Sequence, residues 1–217
     1  MRAYLEACVQ MRGYAEWQPR PSGESRYSCF EDFVLQHGQE HGPEPLTEEQ
    51  RKYVQACAKR WGSPLEVKQC FYNSQMLLLF GDDEKRLTYC EGYGWRYIPC
   101  MHGWLLLDGK HVIDTTWRLD KRIGKGRLAD RVLGAWDDER AYFGVSFSRT
   151  YVRRYVVERA HGGSLIDDFK GDYPLLTGAS GPKEWKATAH DVSELPGSAG
   201  GRQPADGVTA CRPAAEA

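Results

Sequence analysis

Three side chains of this sequence, Cys70, His102 and Asp114, are of the types that together transfer acyl groups. A thiolate attacks a carbonyl carbon, an imidazole carries the proton in and out, and a carboxylate fixes the imidazole tautomer and steadies its cation. Whether His102 and Asp114 meet is a matter of register. Leu107-Asp108-Gly109 ahead of Lys110 is a hairpin signal, and Gly109 suits the left-handed position of a three-residue loop closed by a bulge. With Leu106 and Lys110 flanking that loop, Trp104 faces Val112 and His102 faces Asp114 directly across the hairpin. A two-residue loop sends the two side chains to opposite faces.

Cys70 stands just before "SQMLLLF", which is apolar on every side and suits a helix buried in the core. Helix N-termini and imidazolium groups lower thiol pKa values, so a thiol at such a helix start makes a nucleophile. Where that helix starts has two readings. Ser63-Pro64-Leu65-Glu66 resembles a cap with Pro at the first helical position, which places Cys70 well inside the helix. A turn there, with the helix beginning close to Cys70, presents the sulfur at the helix end instead.

The elements that must position these residues follow from the hydrophobic pattern. "SCFEDFVLQHG" reads as a short helix stopped at Gly38, and Thr47 with Gln50 forms a capping box opening a helix to about Trp61, with Gly62 as its stop. "RLTYCEGYGWRY", "IPCMHGWLLL" and "KHVIDTTW" are β-like runs, followed by "AYFGVSF" and a helix in "RTYVRRYVVERA". The expected fold is α+β, with a Cys-bearing helix packed on a small antiparallel sheet. Residues 1–26 read as a partly helical extension, 27–176 as the domain, and 177–217, rich in Gly, Ala, Pro and Ser, as a disordered tail.

"KQCFYNSQ" and "IPCMHGWLLLDGKHVIDTTW" resemble the Cys, His, Asp core of the transglutaminase-like and papain-like cysteine hydrolases. In that core Cys begins a helix, and His and Asp occupy successive strands. The layout is similar to that of lasso-peptide leader peptidases and of small phage-borne members of the superfamily. The resemblance covers roughly Lys68 to Trp117. It implies Cys70 as nucleophile, His102 as general base and acid, Asp114 as the orienting residue, and no cofactor. The chain departs from the pattern at Gly103, where a small residue such as Ala is more usual, and in having no upstream glutamine at the distance of the papain-like oxyanion donor.

Other residues compete for roles. Glu91 shares a strand face with Leu87, Tyr89 and Tyr93, where a charge is costly unless paired; it is either a rival carboxylate or an edge-strand charge that discourages aggregation. Asn73, one turn beyond Cys70, either bonds substrate or oxyanion or ties down the helix start. Gln69 adjoins the nucleophile and is a further oxyanion or substrate candidate. Each member of the triad also has a bland reading: Cys70 as packing, His102 as a satisfied core histidine, Asp114 as the cap of the "TTW" turn. Cys70, Cys90, Cys100 and His102 around a metal is a third reading, although their spacing matches no zinc motif and no metal is expected.

Composition narrows the partners. Lys and Arg number 29 against 30 Asp and Glu in 217 residues, a formal net charge of −1, which leaves no general nucleic-acid or acidic-membrane footprint. The cationic run from Arg118 to Arg131 is interrupted by Asp120 and Asp130 and reads as solvated surface. Apolar runs are too short to span a bilayer, and the seven scattered cysteines suit a reducing, cytoplasmic setting. The sequence therefore points to a cysteine-dependent hydrolase or acyl-transferase acting through a thioester on a peptide, protein or small amide. A catalytically silent binding module of the same fold is the alternative.

Overall fold

The computed structural model describes residues 1–12, 22–42, 44–66, 68–95, 97–117 and 141–187. Helix α1 (Arg2–Arg12) leads to α2 (Phe30–His37), strand β1 (Gln39–His41), α3 (Glu48–Trp61) and α4 (Cys70–Met76), which runs on as a wider π turn over Leu77–Gly81. Then come β2 (Leu87–Trp95), β3 (Pro99–Leu107), β4 (His111–Ile113), β5 (Ala141–Phe147) and α5 (Arg149–Arg159). A 3-10 turn (Phe169–Gly171) and two short helices, α6 (Pro174–Thr177) and α7 (Pro182–Trp185), complete the described chain. The strands form one antiparallel sheet in the order β1-β5-β2-β3-β4. This is an α+β fold.

The two-residue period of the strands divides the sheet into two apolar faces. Leu87, Tyr89, Tyr93, Leu105 and Leu107 join Phe33, Val54, Leu77 and Leu78 in the large core under the helices. Cys90, Trp104 and Leu106 turn the other way, into a smaller cluster with Val112 and Tyr142. His102 has the parity of Trp104, so β3 delivers it to the second face.

Helix α3 is opened by the expected capping box: the Thr47 hydroxyl accepts from the Gln50 N–H at 3.2 Å, and the Thr47 N–H donates to the Gln50 side chain at 3.0 Å. It ends at Gly62, which takes the left-handed conformation with φ 74°. Thr47→Ala is expected to lower stability by about 1 kcal/mol in urea denaturation. A change within about 0.3 kcal/mol would show that the cap contributes nothing net.

Three expectations are corrected. The N-terminal helix is part of the body rather than an extension, because Leu5 is fully buried in the main core. The body also continues past residue 176: Trp185 is 1% exposed and packs on Phe33, His37 and Phe147. The remainder of the expected tail and the cationic run from Arg118 to Arg131 lie outside the described residues. Finally, the hairpin loop has three residues, but they are Asp108, Gly109 and Lys110, because Leu107 pairs with His111 and Leu106 with Val112. Asp108 and Gly109 both take positive φ, 54° and 70°, and Arg86 holds the Asp108 carboxylate through two bonds of 2.8 and 2.7 Å.

Candidate active site

Helix α4 starts at Cys70 because the chain turns sharply just before it. Lys68 has φ 65°, and Gln69 sits at φ −109°, ψ 49°, outside helical space. Ser63 to Glu66 stay non-helical, so the early-cap reading is set aside. The Asn73 side chain secures this entry, accepting from the Glu66 N–H at 3.1 Å and donating to the Glu66 carbonyl at 2.7 Å. Asn73 is thereby committed to the helix start.

The first turns of α4 lie against the stretch of β3 that runs beyond the end of β4. Gly103 makes this approach feasible, since a Cβ there would fall 2.9 Å from the Phe71 ring and 3.2 Å from the Phe71 Cα. The Ser74 hydroxyl donates to the Gly103 carbonyl at 3.3 Å and meets the Thr115 hydroxyl at 3.0 Å. One serine thus ties the helix to both arms of the hairpin.

On the far face of β3, His102 Nε2 and Asp114 Oδ2 are 2.9 Å apart, with His102 2% and Asp114 0% exposed. The loop shift keeps the even parity, so the two residues remain on one face. They meet diagonally rather than directly opposite, Asp114 lying just past the last pair of the ladder, Leu105 with Ile113. Asp114 also does what its bland reading required: Oδ1 accepts from the Thr116 and Trp117 N–H groups at 2.8 and 2.9 Å, capping the turn. The Tyr142 hydroxyl donates to Oδ2 at 2.7 Å. Each carboxylate oxygen accepts two bonds, which holds the group in one orientation.

Burial alone would lower the His102 pKa, but the charge and hydrogen bond of Asp114, followed by those of Cys70, push it up to about 9. Burial would raise that of Asp114, and the His102 cation together with the two turn N–H groups overcomes this and holds it well below the usual carboxylate range. With Nε2 taken by Asp114, Nδ1 is the nitrogen left for the Cys70 sulfur. The Trp117 ring stacks on the imidazole, centroids 4.1 Å apart and planes 14° from parallel. Gly94 leaves room for it, as a Cβ there would lie 2.7 Å from the indole.

The structure therefore brings Cys70, His102 and Asp114 together, with Cys70 itself 8% exposed. Gln69 is exposed at the helix cap beside the sulfur, its side chain making no capping bond. Glu91 is not a rival partner for His102, nor an edge charge, since β2 is the central strand and the carboxylate is bound elsewhere. Cys90 faces Ser146, Sγ to Oγ 3.2 Å, and burial pushes its thiol up to about 12. Among the described residues no group of three His, Cys, Asp or Glu is placed to hold a metal ion, and no helix is long and apolar enough to cross a membrane. The contributions of Trp117, Tyr142 and Ser74 have no local sequence signal; each depends on how distant segments register against β3. The chain matches no family model, no curated protein and no solved structure.

Proposed function

We propose that this protein is a cysteine-dependent acyl-transfer enzyme with a papain-like or transglutaminase-like core, cleaving an amide or ester through a thioester. The observation that carries this reading is the buried His102, held by Asp114 on Nε2, with Cys70 at the start of a helix near enough to help raise its pKa. The His102 imidazolium, its pKa pushed up to about 9, pairs with the Cys70 thiolate; the thiolate attacks the acyl carbon, and the imidazolium gives its proton to the departing amine or alcohol, which leaves the ring neutral. Water or an amine, deprotonated by His102, then releases the acyl group. Asp114 orients the ring and balances its charge throughout. The first intrahelical donor of α4 is the Asn73 N–H, bound to the Gln69 carbonyl at 2.8 Å. The N–H groups of Cys70, Phe71 and Tyr72 thus have no acceptor within the helix. That of Cys70, with the Gln69 side chain, supplies the donors for the developing oxyanion.

Cys100 provides an internal control for the test. It is more exposed than Cys70, and its thiol is pushed up by burial and then by the charges of Cys70 and Asp114. Exposure alone favours iodoacetamide labelling of Cys100, whereas activation favours Cys70. The expected result at pH 7 is that Cys70 labels about tenfold faster or more, and that His102→Ala removes the advantage while leaving Cys100 unchanged. Equal rates in the wild-type protein would support the silent binding module instead.

A further inference from the structure

His102 and Asp114 use one end of the second sheet face, and the other end holds a cavity. Strand β1 covers the outer edge of β5 as far as Gly144, which lies opposite Gln39. Further along, the chain after α7 takes over that edge: the Ala187 N–H donates to the Ser146 carbonyl at 3.3 Å, and Lys186 bridges Phe147. The two covers meet at Val145. The chain from His37 to Gln39 and the pair Lys186–Ala187 flank this meeting point and line a cavity of about 290 Å³. It extends over the row of the face where Thr88 pairs with Leu106.

Thr88 is only 8% exposed, and it shares the parity of Cys90 and Leu106, which turns its hydroxyl into this cavity. Among the described residues that hydroxyl has no hydrogen-bond partner. Buried polar groups are almost always bonded, so an open one aimed into a cavity points to a ligand. Lys186 is the one cationic side chain in the lining, and no acid accompanies it. His37 has Nε2 taken by the Tyr27 hydroxyl, and burial, then the charges of Lys186 and Arg26, lowers its pKa from 6.5, so it adds no charge near neutrality. Leu106 and Ala187 supply apolar surface. The cavity is separate from the acyl site, because Trp104 stands between them. A Cβ on Gly144 would lie 2.4 Å from its ring, so the indole crosses β2 to reach β5, and it stacks on His102 with planes 17° from parallel.

We propose that this cavity is a second binding site, independent of the acyl chemistry, for a small carboxylic acid with an apolar body. The carboxylate accepts from the Thr88 hydroxyl and pairs with Lys186, and the hydrocarbon part lies against Leu106 and Ala187. One cation without an acid favours a single negative charge over a phosphate dianion, and it disfavours a cation altogether. The volume, about 290 Å³, stands at the small end of ligand pockets, which run from about 300 to 1,000 Å³. A small acid is the size of ligand it takes.

Benzoate and its uncharged analogue benzamide test the proposal by calorimetric titration of the full chain at pH 7. Benzoate is expected to bind with a Kd below about 1 mM, and benzamide about tenfold more weakly or worse. Thr88→Val keeps the shape of the side chain and removes the hydroxyl, so it should weaken benzoate about fivefold or more. Lys186 is exposed, which limits its pairing, and Lys186→Gln should weaken benzoate about threefold while moving benzamide less than about twofold. Cys70→Ala should leave the benzoate Kd within about twofold, since the two sites are separate. Should Thr88→Val not fold, Lys186→Gln and the benzamide comparison decide. The proposal is overturned by any of four results: no saturable benzoate binding up to about 10 mM, equal affinity for benzoate and benzamide, an unchanged benzoate affinity in either folded variant, or binding lost in Cys70→Ala. Inorganic phosphate binding more tightly than benzoate would overturn it as well.

Discussion

Asp114→Ala is expected to lower folding stability by about 3–5 kcal/mol at pH 6, because it leaves the buried His102 without its counter-charge. Asp114→Asn is expected to cost less, about 1–3 kcal/mol, yet not to be neutral. An amide offers one oxygen, whereas the carboxylate uses one oxygen for His102 and Tyr142 and the other for the turn N–H groups of Thr116 and Trp117. Whichever way the amide turns, its NH2 faces donors. The loss should also depend on pH. His102 is raised from its ordinary value of 6.5 to about 9, so its share of the stability is fully present below 6.5 and is lost as pH climbs through 9. Asp114 is lowered from 3.8, so its share is present above that value and is lost only in strong acid. Urea denaturation should therefore show the largest difference between wild type and Asp114→Ala from about pH 4 to 6.5, narrowing towards pH 9.5. A difference that stays flat across that range would mean that the pair is not ionised in the fold.

The His102–Asp114 contact was legible because it depends on parity, and parity is set by whether the turn holds an odd or even number of residues. The starting residue of the turn was not legible. It is settled by Arg86, at the entry to β2, which holds the Asp108 carboxylate and accepts the Asp108 N–H on its own carbonyl at 3.0 Å. That contact is far along the chain and leaves no mark on the turn itself. Cys70 followed a similar course. Its helix was visible from the apolar run, but the choice between two starts fell to Asn73 clamping Glu66, a bond between side chain and backbone that propensity does not contain.

Glu91 shows the converse. The sequence correctly marks its burial as costly without partners, since it alternates with Tyr89 and Tyr93 on a core-facing row. Three of its four donors come from residues 164–166, beyond the rest of the sheet, so neither of the two roles read for it locally holds in the structure. Composition failed for a related reason at the other end of the body. A segment rich in Gly, Ala, Pro and Ser has too little apolar surface to fold alone, but Trp185 packs residues 182–185 of it on a core that already exists.

That tryptophan supplies the second large expected effect. Trp185→Ala should lower stability by about 3–5 kcal/mol, the usual cost of deleting a large aromatic side chain from a closed core. The cavity would open among Phe33, His37 and Phe147, whose rings lie 5.4, 5.2 and 5.8 Å from the indole. The backbone is also engaged there, with the Ser148 N–H donating to the Trp185 carbonyl at 2.8 Å and Lys186 bridging Phe147. These contacts brace the end of β5, the strand whose Tyr142 bonds Asp114. Single domains usually unfold cooperatively, so Trp185→Ala should preserve selective labelling of Cys70 at low temperature and lose it together with the fold on heating. Urea denaturation measures the first effect, and a loss below about 1 kcal/mol would show that residues 182–185 are an appendage. Labelling followed against temperature measures the second: selectivity that disappears well below the unfolding transition would mean that the end of β5 positions Asp114 directly, rather than through the stability of the whole.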